Sequence, residues 1–158
     1  MTVIISIDSL TKQYGDKIVL NGISFTIEQG EIFALIGTNG AGKTTALECI
    51  EGLRKYSGTI EVHGKMGVQL QSTALPGNIK IKEALKLFAK WNDTMLDRGL
   101  IQRLNLEPMM NKKYKELSTG QKRRLHLVIA MVGDPDIVFL DEPTAGLDVE
   151  GRVALHEE

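Results

Sequence analysis

The chain has 158 residues, of which 42% are hydrophobic and 25% are charged. This balance is typical of a folded globular domain and excludes wholesale disorder. The formal net charge is -1 and the single cysteine is Cys49, so the composition favours neither a nucleic-acid-binding surface nor a disulfide framework. The apolar runs fall short of the ~18 residues that span a bilayer, and the first residues lack the basic head of a signal peptide.

Strand signals dominate the first part of the chain. Short strands are predicted over residues 3–7, 23–27, 31–36, 59–62 and 66–70. Turn residues between the first two of them favour an antiparallel start. The run 31–36 is apolar and ends at Gly37, which is typical of a strand buried in a sheet. A helix is predicted over 43–53.

Apolar residues recur at helical spacing over residues 79–106, and the pattern after them is mixed. A helix is predicted over 119–132, a buried strand over 137–140, and a last helix from near Val149 to Glu158. The predicted fold is therefore an α/β core with an antiparallel β section and a helical insertion. We divide this single domain into a core and antiparallel section at 1–71, a helical part at 72–116 and a third part at 117–158.

One segment fits the phosphate-loop pattern G-x-x-x-x-G-K-[ST]. Residues 37–44 read GTNGAGKT, and they lie between a predicted strand and a predicted helix. Glycines let backbone N–H groups approach a triphosphate, and the helix N terminus adds partial positive charge. A glycine-rich turn without a ligand is the alternative, which this context disfavours. The expected nucleotide-binding residues are Gly37, Asn39, Gly40, Ala41, Gly42, Lys43, Thr44 and Thr45.

Three side chains of this segment have separate expected roles. Lys43 is expected to reach the β- and γ-phosphates. Thr44 is expected to ligate Mg²⁺, and Thr45 to add a hydroxyl on the α-phosphate side.

Two carboxylates follow the predicted strand over 137–140. A nucleotide hydrolase that uses Mg²⁺ needs one group to hold the metal's water shell and another to orient and activate the attacking water. Asp141 is expected to take the first role and Glu142 the second. Two solvated acids at a strand end are the alternative, which the phosphate loop upstream disfavours.

The sequence excludes a guanine-binding GTPase. Residues 111–114 read NKKY and lack the Asp of an N-K-x-D motif. A D-x-x-G match at 148–151 follows that segment, which is the wrong order for a GTPase.

The segment 117–121 reads LSTGQ and opens the helix that precedes the strand over 137–140. It resembles the signature sequence of ABC ATPases. The phosphate loop, Gln71 and the run IVFLDEPTAGLD match the same family. Together these motifs give a resemblance to the nucleotide-binding domain of an ABC transporter that covers essentially the whole chain. Several motifs in the family's order make this resemblance specific, and it implies a P-loop NTPase core.

The resemblance implies roles for residues outside the phosphate loop. Tyr14 matches the aromatic residue that stacks on adenine. Gln71 matches the glutamine that touches Mg²⁺ and links the core to the helical part, whereas the neighbouring Gln69 is expected to be a surface strand residue. The implied metal ligands are Thr44, Gln71 and Asp141, and the implied catalytic residues are Glu142, Lys43 and Gln71.

The resemblance also implies an interface between two subunits. Ser118 and Gly120, with Gln121 beside them, match signature residues that contact the γ-phosphate held by the opposite subunit, and Asp148 matches a loop that crosses the dimer interface. Proteins of this kind bind ATP and Mg²⁺, work as head-to-tail dimers and drive a transmembrane permease. The implied location is cytoplasmic and peripheral on the inner face of the cell membrane, and no nucleic-acid partner is implied. The sequence is most similar to ATP-binding subunits of ABC-2 type exporters of drugs or polysaccharides.

The sequence departs from the family pattern at its end. The chain stops at Glu158 within a predicted helix, so the family's next strand and switch histidine have no assigned residues, and His156 lies too close to Asp148 to match. Without that strand, the predicted strands over 31–36 and 137–140 lose a shared neighbour. We expect this chain alone to hydrolyse ATP weakly or not at all, because loss of a positioned catalytic group costs about 10²–10⁴-fold.

Two interpretations of the function remain. The first is the ATP-hydrolysing subunit of an ABC exporter, and the second is a truncated, non-catalytic nucleotide-binding or interaction module. A soluble ABC ATPase of translation or DNA maintenance is disfavoured, because no tandem domain, coiled-coil insertion or basic arm is evident. Among the other residues, Cys49 is expected in the core, and the basic run 122–124 is expected on a solvated helix face.

Overall fold

The computed structural model describes residues 2–69 and 75–140. They belong to two compact units, Met1–Met66 and Gly67–Glu158. Each unit combines strands with helices, which agrees with the predicted α/β class. No helix described in these two ranges has the length and apolar character of a membrane span.

An antiparallel three-stranded sheet forms most of the first unit. Strands β1 (Val3–Tyr14) and β2 (Lys17–Glu28) form a hairpin, and β3 (Ser57–Val62) pairs with the other edge of β1. The turn between β1 and β2 contains Gly15 at φ 57°, a left-handed conformation that glycine adopts without strain. The predicted strands over 3–7 and 23–27 are confirmed as parts of these longer strands.

The predicted strand over 31–36 is wrong. These residues have no regular structure, and the side chains of Ile32 and Ile36 are 98% and 93% exposed. The physical reason is that the strands described in this unit pair with one another and none pairs with 31–36. Phe33 stacks on Phe25 with ring centroids 4.7 Å apart.

Helix α1 (Lys43–Ile50) begins within the phosphate loop, as predicted. It ends three residues before the predicted boundary at 53, where Glu51 caps it and Gly52 turns the chain at φ 76°. Its inner face buries Ala46, Cys49 and Ile50. The core position expected for Cys49 is therefore confirmed, and burial raises the pKa of its thiol.

The second unit combines a helical part with a two-stranded sheet. The pair is formed by β4 (Met66–Gln69) and β5 (Ile137–Leu140). The helices are α2 (Ile81–Trp91), α3 (Arg98–Arg103) and α4 (Thr119–Met131), with single 3-10 turns at Glu107–Met109 and Tyr114–Glu116. Their apolar residues form one core cluster whose fully buried members include Ile81, Leu85, Leu104 and Leu125.

Two expectations about surface residues are wrong in this unit. Gln69 is only 7% exposed, because it shares a face of β4 with Gly67, and a side chain at Gly67 would collide with the Ala130 carbonyl of α4. Arg124 in the basic run is also 7% exposed, because it lies four residues before the buried Val128 on the inner face of α4.

Candidate nucleotide-binding site

The phosphate loop adopts backbone conformations that only glycine accepts easily. Gly40 and Gly42 have φ values of 83° and 92°, both in the left-handed region. A Cβ atom on Gly42 would lie 3.0 Å from the Val19 carbonyl oxygen and 3.0 Å from Leu20 Cδ2. Gly42 also caps the N terminus of α1. The last glycine of the motif therefore allows β2, the loop and the helix to approach one another.

The ammonium group of Lys43 lies across the loop. Its Nζ donates hydrogen bonds to the Gly37 carbonyl at 2.7 Å and the Thr38 carbonyl at 3.0 Å. A lysine ammonium carries three N–H donors, so a third remains for an anion. The geometry fits a negatively charged group, because this cation and the positive end of α1 lie at the same turn.

A pocket of about 290 Å³ opens at this turn. Its lining is formed by Val19, Asn39, Gly40, Gly42, Lys43, Thr44 and Thr45. The structure thus places six of the expected binding residues together, and Gly37 contributes the carbonyl that holds Lys43. Ala41 closes the turn instead, through a 3.1 Å hydrogen bond from its N–H to the Thr38 carbonyl.

Val19 is a pocket residue that the sequence analysis missed. It belongs to β2, which passes beside the loop, and no sequence pattern links it to the motif 18 residues later at Gly37. Val19 also limits the space around Gly42. The fold, and not a sequence pattern, brings Val19 and Gly42 together.

Tyr14 lies at the end of β1, in register with Lys17 at the start of β2. Its side chain is 43% exposed. Val19 follows Lys17 by two positions on β2, a distance of about 7 Å along a strand. The hairpin therefore brings Tyr14 to the end of β2 that leads to the phosphate pocket.

The signature turn lies in the second unit and is closed by a reciprocal cap. The Ser118 hydroxyl accepts a hydrogen bond from the Gln121 N–H at 3.2 Å, and the Gln121 side-chain oxygen accepts one from the Ser118 N–H at 3.1 Å. This is a capping box at the start of α4. The N–H groups of Thr119 and Gly120 lie in the same first turn and outside this cap, which suits an anion.

The turn before the signature is anchored by an aromatic pair. The Tyr114 hydroxyl lies 3.1 Å from His126 Nε2, and Lys122 Nζ lies 5.1 Å from the centre of the Tyr114 ring. Burial, followed by the charges of Arg123 and Lys122, lowers the pKa of His126. Burial raises the pKa of Tyr114. His126 thus both stacks on Tyr114 and lies within hydrogen-bond distance of its hydroxyl.

Four of the expected functional residues lie outside the described part of the chain. They are Gln71, Asp141, Glu142 and Asp148. Within 2–69 and 75–140, no group of three or more His, Cys, Asp or Glu side chains is arranged to hold a metal ion. Thr44 is the expected Mg²⁺ ligand that the structure describes, and it lines the phosphate pocket.

Comparison with known proteins agrees with the motifs. A family model described as ABC transporter matches residues 20–145. An uncharacterized ABC transporter ATP-binding protein of Methanocaldococcus jannaschii is 41% identical over 152 residues, which cover 92% of this chain and 58% of that protein. The Nod factor export ATP-binding protein I of Burkholderia lata is 38% identical over 168 residues, which cover 94% of this chain and 55% of that protein.

Solved structures give the same result for the fold. The structure of an ATP-binding subunit of an ABC transporter superposes with a TM-score of 0.86 at 27% identity, covering 98% of this chain and 72% of that one. The predicted P-loop NTPase fold class is thereby confirmed. The chain spans a little over half the length of the curated relatives that it matches.

Proposed function

The chain belongs to the ABC transporter family, and we propose that it is the ATP-binding and ATP-hydrolysing part of a subunit that powers a transporter. The observation that carries this proposal is the phosphate pocket at the N terminus of α1. There, Lys43 Nζ bridges two loop carbonyls, and a Cβ atom on Gly42 would make tight contacts of 3.0 Å with β2.

The bound nucleotide is ATP in this proposal. The loop amides and Lys43 bind the β- and γ-phosphates, and Thr45 contributes its hydroxyl on the α-phosphate side. Tyr14 stacks on the adenine from the end of β1. Base stacking contributes about 1–3 kcal/mol, so Tyr14→Ala is expected to raise the Kd for ATP about ten-fold or more.

Mg²⁺, when bound, neutralises phosphate charge during hydrolysis. Thr44, Gln71 and Asp141 are proposed as the residues that hold it, directly or through water. Glu142 is proposed to orient and activate the attacking water, and Lys43 to stabilise charge on the transferred phosphoryl group.

The signature residues act on a second subunit in this account. Ser118, Gly120 and Gln121 face the γ-phosphate held by the phosphate loop of the opposite subunit in a head-to-tail dimer. The reciprocal cap of Ser118 and Gln121 supports this assignment, because it fixes the first turn of α4 and leaves the N–H of Gly120 outside the cap.

The partner of the dimer is a transmembrane permease, which places the subunit at the inner face of the cell membrane. Similarity to Nod factor export ATP-binding proteins supports an exporter. We assign nucleotide binding to the core at 1–71, permease contact to the helical part at 72–116, and the signature and water-activating residues to 117–158.

A second candidate is a non-catalytic nucleotide-binding or interaction module. The exposed segment at 31–36 favours it, because the residues that lead into the phosphate loop are not held in a sheet. Catalysis requires positions fixed to within a fraction of an ångström, whereas binding tolerates looser support.

Mg-ATP turnover and Mg-ATP binding by residues 1–158 test both candidates. Glu142→Gln provides the background, and circular dichroism confirms that both proteins are folded. Robust turnover that depends on Glu142 supports the ATPase and overturns the expectation that this chain alone hydrolyses ATP weakly or not at all. Binding without such turnover supports the non-catalytic nucleotide-binding module for residues 1–158. Failure of the folded chain to bind ATP contradicts the proposed ATPase and leaves only an interaction module.

A further inference from the structure

Lys12 lies against one face of the Tyr14 ring. Its Nζ is 4.8 Å from the ring centroid, within the ~6 Å range of a cation–π interaction. Lys12 and Tyr14 are two residues apart on β1, so their side chains extend from the same face of the strand.

The position of Lys12 is fixed by a second contact. Its Nζ donates a hydrogen bond to the backbone carbonyl of Lys55, 43 positions later in the chain. The ammonium group is therefore tethered between a main-chain acceptor and an aromatic face. Ordering a lysine side chain in this way costs conformational entropy that the two contacts offset before any ligand arrives.

Lys12 covers part of one face of the Tyr14 ring, and the residue as a whole remains 43% exposed. Exposed ring surface of this kind can accept a stacked base. A cation draws π-electron density toward itself, so the outer face repels the π-electrons of a second ring less. A tyrosine supported in this way is both better oriented and electronically better suited to stack on an aromatic base.

We propose that Lys12 is a positioning residue for the nucleobase, holding the Tyr14 ring from behind so that its outer face receives the adenine. This inference rests on the proposed function, because it deepens the nucleotide site described above. It adds a base-specific contribution from a lysine that lies outside the phosphate loop.

Comparing the affinities for two ligands distinguishes an effect of Lys12 on base binding from a general effect on the phosphate site. Mg-ATP engages both the phosphate loop and Tyr14, whereas Mg-tripolyphosphate has no base and engages the loop alone. Titration calorimetry on residues 1–158 should show that Lys12→Met raises the Kd for Mg-ATP at least about three-fold. The Kd for Mg-tripolyphosphate should stay within about two-fold, since a base contact contributes nothing to it.

Three further variants control for a second lysine, for the contact with Lys55 and for dependence on Tyr14. Lys17→Met removes the lysine that faces Tyr14 across the hairpin register, and both Kd values should stay within about two-fold because Lys17 is not the cation over the ring. Lys12→Gln keeps a side-chain donor for the Lys55 carbonyl but loses the cation, and it should behave like Lys12→Met. In a Tyr14→Ala background, Lys12→Met should change neither Kd.

The outcomes distinguish this inference from the proposed function. An equal effect of Lys12→Met on both ligands, or no effect on either, overturns the positioning role while leaving ATP binding intact. ATP binding that is insensitive to Tyr14→Ala overturns it as well. If the folded wild-type chain binds neither ligand, the proposed function fails and the role of Lys12 fails with it.

Discussion

The phosphate loop leads into the N terminus of α1, and the signature turn leads into the N terminus of α4. These two turns are supported differently by the rest of the chain. The last apolar residue before the phosphate loop, Ile36, is 93% exposed, whereas Leu117 before the signature turn is 5% exposed. The signature turn rests on a core cluster formed by residues within about fifty positions of it. The segment before the phosphate loop has no strand partner in the described ranges.

The difference shows which features a short motif can specify. Both turns have well-formed local geometry, because left-handed glycines and a capping box are determined by residues within a few positions. Packing of the preceding segment depends on residues far along the chain. We expect the two regions to respond differently to substitution, and four predictions test this, from the largest effect to the smallest.

We expect the largest difference in the free energy of unfolding between substitution of a core residue near the signature turn and substitution of an exposed residue before the phosphate loop. Leu125→Ala should lower the free energy of unfolding by about 2–5 kcal/mol, because it leaves a cavity in a fully buried site. Ile32→Thr should change it by less than about 0.5 kcal/mol, because Ile32 is exposed. Urea denaturation measures both, and equal losses would contradict the contrast.

The phosphate loop should respond through binding. Gly42→Val is expected to weaken Mg-ATP binding about 100-fold or more, because its Cβ would meet the Val19 carbonyl at 3.0 Å and its φ is 92°. Gly52→Val is the matched control, with φ 76° but nothing within 4 Å of a Cβ. It introduces the same side chain at a positive φ at the other end of α1, without the contact with β2. Comparable loss of affinity in both variants, measured by calorimetry, would show that the contact with β2 is unimportant.

The cap of α4 should contribute a smaller amount. Ser118→Ala is expected to lower the free energy of unfolding by about 1 kcal/mol, because the Gln121 N–H loses its acceptor. Ser118→Asp should recover most of that loss, since aspartate also caps helices well. If Ser118→Ala costs nothing in urea denaturation, the reciprocal cap does not stabilise the turn.

The smallest expected effect is a pH dependence at His126. Its pKa is lowered in the folded chain from an ordinary value of 6.5 by burial and by the charges of Arg123 and Lys122. The unfolded chain therefore binds the proton more readily, so the free energy of unfolding should fall as pH drops below about 6.5. His126→Gln should show a shallower fall in urea denaturation from pH 7.5 to about 5.5. A parallel pH profile for the two proteins would remove His126 as the cause.

The sequence predicted those parts of the site that depend on local chemistry. The left-handed glycines of the octapeptide at 37–44, the helix that follows it and the helix start at the signature segment formed as their residues indicated. The reciprocal cap of Ser118 with Gln121 was not predicted. The sequence did not predict Val19, because its place in the pocket depends on a strand passing beside the loop. It misassigned Gln69 and Arg124 to the surface, because their burial depends on which face of α4 and β4 turns inward.

The strand predicted at 31–36 failed for a related reason. An apolar run predicts burial only when a neighbouring strand can pair with its backbone. Residues such as Ile32 carry the composition of a buried strand, but composition does not specify the pairing partner. The helical part was easier to predict, because the spacing of Ile81 and Leu85 itself defines the buried face of α2.

In the proposed function, the phosphate loop binds a nucleotide through Lys43. The most direct test is titration of Mg-ATP into the wild-type chain, Lys43→Ala and the control Lys17→Ala. We expect the wild type and Lys17→Ala to bind with Kd values within about two-fold of each other. Lys43→Ala should bind about ten-fold or more weakly, because a charge-assisted contact to phosphate is lost. Equal affinity in all three folded proteins, or no binding by any of them, would show that the phosphate loop does not bind nucleotide through Lys43.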